Sequence, residues 1–423
     1  MILRPLLRRA LGVALLAVVA CGRADEPTLA EGSGGTNAPR HLDAPHVVLV
    51  SFDGFGAELW GRHAVPNFER VAAAGVRAER MIPVYPTKTF PAHYSIATGM
   101  YVESHGLVGN RFWAPDLEAA YSLSDRAAVE DARFYRGEPI WVTAERQGMV
   151  AASFFFIGSE AAVGGVQPTY WYPFDASVPR ERRVDQVLEW LAMPPETRPH
   201  MITLYFEDID AAWHYNGPDR PETEAAVVRM DESLGRLLDG IERLPHGDQV
   251  YVIVVSDHGL MATPPTMVDE RDMTLFPGVR MAEGGPYASL FVDEGGPARG
   301  AALRDSLAAL LPASDVWLRA DVPERLHYSA DPRIGDIVIA GAPGRRVHEA
   351  GRVSRDVWSH GWDNALPEMS AIFLAMGPGI APGQLIPPFE AIHVYPLVAH
   401  LLGLQPNPGA DGRLDVLGPI LER

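Results

Sequence analysis

Three continuous apolar runs constrain the fold of this chain more than any other feature of its sequence. Runs of six or seven apolar residues are typical of parallel strands that helices cover on both faces. Helical patterns separate the runs, so the alternation predicts an α/β fold with a doubly wound, mostly parallel central sheet and helices on both faces. The runs are His46–Phe52, Met201–Phe206 and 249–255.

Acidic residues follow each run, and a histidine follows two of the three. Asp53 comes directly after the first run, Asp210 and His214 lie a few residues beyond the second, and Asp257 and His258 come just after the third. In open α/β sheets the functional site lies beyond the carboxyl ends of the strands. We therefore expect these five side chains to converge.

A cluster of carboxylates and imidazoles would repel itself unless cations were bound, so the pattern predicts a pair of metal sites. The mixture of oxygen and nitrogen ligands suits Zn²⁺ best, with Mn²⁺ or iron as alternatives. His360 lies in a glycine-flanked loop before a further apolar run at 371–376. As a third imidazole it would complete a site with Asp210 and His214.

A candidate nucleophile lies in the stretch 85–110. Its helical pattern at 90–100 carries Pro91 in the first turn, which puts Thr89 at about the N-cap. There the hydroxyl would lie beside unpaired backbone amides at the positive end of the helix dipole, which is a site for an anion such as phosphate. An ordinary helix cap is the alternative interpretation of an isolated threonine.

The start of the chain has the pattern of an export signal. Three arginines and a short apolar run occupy residues 1–20, and Cys21 follows as the sole cysteine. This arrangement is typical of a bacterial lipoprotein, so we expect a lipid-anchored protein in the periplasm or at the cell surface. Residues 21–45 are rich in Gly, Ala, Pro and charge, which predicts a flexible tether to a catalytic domain at 46–423.

The charge of the chain excludes some classes of partner. The formal net charge is -18, and it would be -21 without residues 1–20. A surface this acidic does not suit a nucleic-acid groove, so an anionic small-molecule substrate would need local positive charge from bound cations. Scattered Pro and Gly among short apolar runs mark about 261–348 as a small α+β insertion.

Four motifs, in family order, resemble the nucleotide pyrophosphatase/phosphodiesterase family of the alkaline phosphatase superfamily. They are YPTKTFPAHYSIATGMYVESHGLVGN around Thr89, the D-x-x-x-H of Asp210 and His214, SDHG at 256–259, and HGWDN from His360 followed by AIFLAMGPG. The similarity runs from residue 46 to about 404. It implies an alkaline phosphatase-like fold and an enzyme with two zinc ions per chain.

The resemblance assigns roles to single residues. Thr89 is implied to become covalently attached to the nucleotide phosphate, and Asn110 to steady a phosphate oxygen together with the Thr89 backbone amide. Phe90 and Phe174 are implied to stack on the base, with Tyr170 and Tyr172 as nearby alternatives to Phe174. Lys88 is a candidate to neutralise a distal phosphate, and an ordinary solvated lysine is the alternative interpretation. The implied zinc ligands are Asp210, His214 and His360 for one ion, and Asp53, Asp257, His258 and Thr89 for the other.

The expected activity is hydrolysis of nucleotide phosphodiester and pyrophosphate bonds to nucleoside 5'-monophosphates, that of a type I phosphodiesterase. One alternative is a phosphodiesterase of the same fold that acts on choline-type or other lipid headgroups. A second is a phosphatase for monoesters, although the sequence has no clear counterpart of the arginine that grips a terminal phosphate in such enzymes. A metal-stabilised binding protein is disfavoured, because the nucleophile and six other ligand side chains are all present.

Overall fold

The computed structural model describes residues 30–31, 35–271, 276–293, 295–351 and 356–421. The strands in this part of the chain are β1 (Ala30–Glu31), β2 (His46–Phe52), β3 (Val76–Ala78), β4 (Met81–Ile82), β5 (Arg111–Ala114), β6 (Ala119–Ser122), β7 (Ala151–Phe154), β8 (Tyr170–Tyr172), β9 (Met201–Phe206), β10 (Val250–Val255), β11 (Met261–Ala262), β12 (Val268–Arg271), β13 (Val279–Glu283), β14 (Tyr287–Val292), β15 (Ser314–Leu318), β16 (Ile337–Gly341), β17 (Arg346–Glu349), β18 (Trp358–Ser359), β19 (Phe373–Met376), β20 (Gln384–Ile386) and β21 (Phe389–Glu390). The α-helices are α1 (Pro66–Ala74), α2 (Thr89–Thr98), α3 (Val102–His105), α4 (Arg126–Glu130), α5 (Ile140–Arg146), α6 (Arg180–Leu191), α7 (Asp208–Asn216), α8 (Pro221–Glu242), α9 (Gly296–Leu310), α10 (Val394–Leu401) and α11 (Leu414–Leu417).

The central sheet has the strand order β1-β8-β7-β9-β2-β10-β19-β3-β20. Neighbouring strands are parallel from β8 to β10 and between β3 and β20, whereas β1, and β19 on both of its sides, pair antiparallel. The predicted doubly wound and mostly parallel sheet is therefore confirmed.

Helices cover both faces of this sheet. Val47 and Leu49 of β2 point to the face that packs against α2, α5 and α10. Val48 and Val50 point to the opposite face, which α1, α6 and α8 cover. Because both faces are buried, every residue of β2 is apolar except His46 at its start and Ser51, which explains the continuous apolar run.

The register of the three central strands brings their carboxyl ends together. Phe52 at the end of β2 pairs with Phe206 at the end of β9. On the other side of β2, Ser51 pairs with Val255, the last residue of β10. The polar residues that follow these strands therefore emerge at one edge of the sheet, as the sequence predicts.

A smaller α+β unit forms where the insertion was expected. Strands β13, β14, β16 and β15 make a separate four-stranded sheet, and α9 packs on it over an apolar core of its own. The two-stranded pairs β12 with β17 and β11 with β18 connect this unit to the larger domain. We call this unit, from Met261 to His348, the insertion.

The residues that precede β2 differ from the expected tether. Residues 1–29, with the export-signal pattern and Cys21, lie outside the described residues. The Asn37 side chain is buried, donates to the carbonyl oxygens of Pro195 at 2.8 Å and Arg198 at 2.7 Å, and accepts from the Val150 amide at 2.7 Å. Residues 35–45 thus pack on the domain, because these hydrogen bonds fix them there, and the expectation of a flexible tether is wrong for them.

Among the described helices, none combines the length and apolar character that crossing a bilayer requires.

Candidate active site

The first ligand cluster consists of Asp210, His214 and His360, whose ligand atoms all lie within 4.8 Å of one another. Asp210 and His214 are one turn apart on α7, with His214 Nε2 3.3 Å from Asp210 Oδ1. His360 Nε2 lies 4.0 Å from the same oxygen. These three side chains can hold one metal ion with two nitrogen ligands and one oxygen ligand.

Backbone carbonyls orient both imidazoles of this cluster. His214 Nδ1 lies 2.8 Å from the carbonyl oxygen of Trp358, and His360 Nδ1 lies 2.8 Å from that of Thr87. A carbonyl oxygen accepts only, so each Nδ1 carries the proton and each Nε2 presents its lone pair to the cluster. This arrangement, a ring nitrogen fixed by an outer hydrogen bond, is typical of histidine ligands.

The second cluster adjoins the first and contains the candidate nucleophile. His258 Nε2 lies 2.9 Å from Asp257 Oδ2, 3.7 Å from Asp53 Oδ1 and 3.3 Å from Thr89 Oγ1. Asp53, Asp210 and His258 form a further group within the 4.8 Å limit, so Asp210 borders both clusters. The sequence-predicted ligands therefore converge on two neighbouring positions.

Unpartnered oxygens in both clusters fit bound cations. Asp53 Oδ1 and Asp210 Oδ1 are buried and have no hydrogen-bond partner within the described part of the chain. A buried carboxylate oxygen without a partner costs free energy that a cation would offset. The donor set of carboxylates and imidazoles matches zinc, so the residues present fit the metal that the sequence predicts.

The pKa shifts follow from burial and crowding. Burial, and then the carboxylates of Asp257 and Asp210, raise the pKa of Asp53 well above its ordinary value. Burial, and then the neighbouring His258, lower the pKa of His360 well below 6.5. His360 is therefore neutral at physiological pH, which is the form that binds metal.

Gly54 brings the ends of β2 and β9 into contact. Its φ of +70° lies in the left-handed region, and a Cβ at this position would lie 2.7 Å from the Cα of Asp210. Its amide donates to Asp257 Oδ1 at 3.0 Å, and the Asp210 amide donates to the Asp53 carbonyl at 3.1 Å. The first bond fixes the Asp257 carboxylate at the sheet edge, and the second holds the backbone of Asp210 against that of Asp53.

Thr89 is the first residue of α2, one position into the helix rather than at its cap, which is Lys88. Its backbone amide is among the four that have no partner within the helix. The next amide, that of Phe90, donates to Asn110 Oδ1 at 3.0 Å. This bond ties Asn110 to the first turn of α2 and leaves the NH₂ group of its side chain as a donor beside Thr89.

His93 belongs to the site and was missed in the sequence. Its Nδ1 lies 2.9 Å from the carbonyl oxygen of Thr89 and 3.4 Å from Asp257 Oδ2, and its Nε2 lies 2.7 Å from Ser51 Oγ. Its ligand atom also lies within 4.8 Å of those of Asp53 and Asp257. Because both ring nitrogens are engaged in other contacts, we assign His93 to positioning the first turn of α2. The spacing of four residues from Thr89 on one helix is the signal that would have found it.

A cavity of about 370 Å³ opens from the clusters. Phe90 and Phe174 are part of its wall, and Phe174 is 39% exposed. A pocket that is mostly apolar with polar groups at one end suits a ligand with a flat ring and a charged group. The lining residues are Asp53, Thr89, Phe90, Asn110, Leu123, Arg126, Val129, Phe155, Ile157, Gly158, Glu160, Phe174, Tyr205, Asp210, His214 and His360.

Two residues predicted to bind substrate do not line this cavity. Tyr172 is buried in the core, where its ring packs against Trp190 and its hydroxyl donates to Gln186 Oε1 at 2.8 Å. Its prediction as a stacking residue is wrong, because the β8 strand turns it away from the cavity. Lys88 is also buried, with its ammonium beside Gly361, and burial lowers its pKa.

Comparisons with known proteins agree with this geometry. A family model for type I phosphodiesterase/nucleotide pyrophosphatase matches residues 47–363. Ectonucleotide pyrophosphatase/phosphodiesterase family member 1 of Homo sapiens is 34% identical over 397 residues, which cover 90% of this chain and 42% of that protein. A venom phosphodiesterase of Crotalus durissus collilineatus is 34% identical over 404 residues, covering 91% and 48%. The chain thus spans about half the length of the curated relatives it matches.

Solved structures are similar over the same region. An inactive variant of murine ectonucleotide pyrophosphatase/phosphodiesterase 5, in complex with AMP, superposes with a TM-score of 0.84 at 30% identity and covers 89% of this chain and 100% of that one. Human ectonucleotide pyrophosphatase/phosphodiesterase 5 gives the same TM-score and coverage at 29% identity. The chain therefore belongs to the type I phosphodiesterase/nucleotide pyrophosphatase family, within the alkaline phosphatase superfamily, as its motifs predict.

Proposed function

We propose that the protein hydrolyses phosphodiester and pyrophosphate bonds of nucleotides to nucleoside 5'-monophosphates, with two zinc ions and a covalent intermediate on Thr89. The observation that carries the proposal is the position of Thr89 Oγ1, 3.3 Å from His258 Nε2 and at the floor of the cavity that Phe90 and Phe174 line. Nucleophile, ligand clusters and aromatic wall therefore meet at one place.

The two clusters divide the metal ligands. Asp210, His214 and His360 would hold one zinc ion, and Asp53, Asp257, His258 and Thr89 Oγ1 the other. When bound, the ions would lower the pKa of a coordinated hydroxyl and neutralise charge on the phosphate oxygens.

Thr89 carries the first chemical step. Its hydroxyl oxygen gives its proton to solvent and forms a bond to phosphorus. The bond from phosphorus to the leaving oxygen breaks on the opposite side, and the leaving group takes up a proton from solvent where its pKa requires one. In the second step a water oxygen attacks phosphorus, the bond from phosphorus to the Thr89 oxygen breaks, and one proton of the water is transferred to that oxygen. The nucleoside monophosphate is released with one oxygen from water.

Asn110 and the start of α2 stabilise the charge that develops on phosphorus. Because Asn110 Oδ1 accepts from the Phe90 amide, its NH₂ group is turned to donate to a phosphate oxygen. The unpaired Thr89 amide, at the positive end of the α2 dipole, donates from the same side. Donors that are fixed before the reaction stabilise a transition state most effectively.

The aromatic wall supports a nucleotide as the substrate. A base would stack on Phe90 or Phe174, since aromatic rings stack favourably with bases of any sequence. The structural relative in complex with AMP supports the same ligand class.

The test compares ester substrates for the zinc-loaded protein. We expect a chromogenic thymidine monophosphate ester to be cleaved far faster than the corresponding simple phosphate monoester. The opposite preference would contradict the diesterase assignment, and faster cleavage of phosphocholine esters would favour lipid headgroups as substrates. No turnover of any ester would leave a metal-stabilised binding protein.

A matched pair of variants tests the nucleophile. Thr89→Ala is expected to abolish turnover while zinc content falls only partly, because six other ligands remain. Thr98→Ala, at the far end of the same helix, removes a hydroxyl that bonds the Tyr94 carbonyl and is expected to leave turnover unchanged. Activity retained by Thr89→Ala would exclude a covalent intermediate on this residue.

We also propose that the protein is exported and anchored by a lipid on Cys21. The arginine-rich start and short apolar run of residues 1–20 support this location, as do relatives whose names describe ectoenzymes. Cys21→Ala is expected to move the protein from the membrane fraction to the soluble fraction of the periplasm. An unchanged distribution would refute the anchor.

A further inference from the structure

Strand β13 of the insertion contains a β-bulge next to Glu283. The register against β14 shifts between Met281 and Glu283, so Ala282 is an extra residue without a partner. In a regular strand, Glu283 would share the face of Val279 and Met281, which pack on the core of the insertion. The bulge reverses the alternation and turns Glu283 toward the catalytic domain.

The carboxylate of Glu283 contacts the segment that carries Asn110. It accepts from the Arg111 amide at 3.3 Å and from the Tyr287 hydroxyl. A side chain at Gly109 would collide with the Glu283 carboxylate and the Tyr287 hydroxyl, so the backbone must approach them closely. The residues on both sides of Asn110 are therefore packed against the insertion.

Tyr328, also in the insertion, holds the same segment from a second point. Its buried hydroxyl donates to the carbonyl oxygen of Val108 at 2.8 Å. Its ring contacts those of Tyr287, at 6.2 Å between centroids, and Tyr85, at 5.3 Å. Tyr85 lies four residues before the nucleophile, Thr89. The three tyrosine rings therefore contact both the segment that carries Thr89 and the segment that carries Asn110.

We propose that Glu283 and Tyr328 are positioning residues for Asn110. By fixing the backbone of residues 108–111 they hold the Asn110 side chain where its oxygen reaches the Phe90 amide and its NH₂ group reaches the substrate phosphate. The inference rests on the proposed phosphodiesterase activity, because the role of Asn110 is part of that proposal. The insertion would therefore contribute to the reaction, because Glu283 and Tyr328, which do not touch substrate, fix the orientation of the Asn110 side chain, which does.

The expected effect is a loss of kcat with little change in KM or zinc content. Asn110→Ala is expected to lower kcat about 100-fold, as loss of one oxyanion donor does. Glu283→Ala and the milder Tyr328→Phe are expected to lower kcat about tenfold or more, since small displacements of a catalytic group are costly. Glu283→Gln keeps an oxygen acceptor for the Arg111 amide and is expected to recover most of the loss.

Double variants separate positioning from general damage. If Glu283 and Tyr328 act through Asn110, neither substitution lowers kcat further in an Asn110→Ala background. If the substitutions instead weakened the structure in general, their fold losses of kcat would multiply with the loss caused by Asn110→Ala. Asp336→Ala is the control within the insertion. Asp336 accepts a hydrogen bond of 2.8 Å from the Val292 amide, and both residues lie in the insertion's own sheet or its adjoining loop. The substitution should therefore leave kcat unchanged.

The outcomes are distinguishable from failure of the proposed function. A zinc-loaded wild-type protein that cleaves no phosphodiester contradicts the function itself. An active wild-type protein whose Glu283 and Tyr328 variants lose zinc, or lose kcat independently of Asn110, contradicts the positioning role alone.

Discussion

The hydroxyl group of Tyr205 donates a hydrogen bond of 2.6 Å to Oδ2 of Asp53, and both side chains are buried. Burial and the carboxylates of Asp257 and Asp210 raise the pKa of Asp53, and the bond from Tyr205 opposes this shift. The same bond occupies Oδ2 and leaves Oδ1 directed at the second ligand cluster. Tyr205 would therefore prepare Asp53 to bind the proposed zinc ion.

Tyr205→Phe is expected to weaken zinc binding about 10- to 100-fold, which is typical for loss of a hydrogen bond to a ligand. Chelator competition measures the affinity. Tyr251→Phe is the control, since Tyr251 lies on β10 at the opposite end of the sheet, paired with Val47. Equal zinc affinity of the Tyr205 variant and the wild-type protein would show that the bond does not prepare the ligand.

The convergence of the candidate metal ligands could be predicted because it depends on few physical constraints. Strands buried on both faces must be apolar throughout, so β2 and β9 are visible in the sequence with their observed bounds. Parallel strands end at one edge, which is enough to bring Asp53, Asp210 and Asp257 together. No knowledge of the loops is needed for this step.

Side-chain directions and loop contacts could not be predicted in the same way. Tyr172 points into the core because of its register in a three-residue strand that has no apolar alternation to reveal it. Glu283 faces the segment that carries Asn110 only because a bulge reverses its strand. Asn37 is fixed by carbonyl groups of residues more than 150 positions further along the chain. The local composition, which suggests a tether, contains no information about these distant partners.

Phe174→Ala is expected to lower kcat/KM for nucleotide esters about 10- to 100-fold, because stacking on one aromatic ring contributes about 1–3 kcal/mol per base. Steady-state kinetics with the thymidine ester measures the loss. Tyr172→Phe is the matched variant, since it removes the hydroxyl bonded to Gln186 in the core. It is expected to cost about 1 kcal/mol of stability with unchanged kinetics. Unchanged kcat/KM for nucleotide esters in Phe174→Ala would show that Phe174 does not stack on the base.

Gly54→Ala and Gly61→Ala separate backbone strain from a collision. Both glycines have positive φ, +70° and +82°, so alanine costs about 1–2 kcal/mol of strain at either position. A Cβ at Gly61 meets nothing within 4 Å, whereas one at Gly54 meets Asp210. We expect Gly61→Ala to lower stability alone, and Gly54→Ala to lose zinc and turnover as well. Equal zinc content in the two variants would refute the tight approach of the strand ends.

His105 makes the stability of the fold depend on pH. The Leu107 amide donates to its Nδ1 at 3.1 Å, so the ring is neutral and its Nε2 donates to Ser95 Oγ at 2.9 Å. Burial, with the nearby charge of Arg136, lowers the pKa of His105 from 6.5 to about 3. Between these values the unfolded chain binds a proton that the folded chain does not. The contribution of the neutral His105 to the free energy of unfolding is therefore fully present above pH 6.5 and is lost as the pH falls toward 3.

The expected slope from His105 is about 1.4 kcal/mol of unfolding free energy per pH unit within that window. Urea unfolding followed by tryptophan fluorescence measures it. His105→Gln is expected to reduce the pH dependence by about this slope, although the variant is less stable at neutral pH because a buried hydrogen-bonded ring is replaced. His400→Gln alters an exposed residue on α10 and should leave the slope unchanged. If the His105 variant keeps the full wild-type slope, the buried ring is not the group that resists protonation.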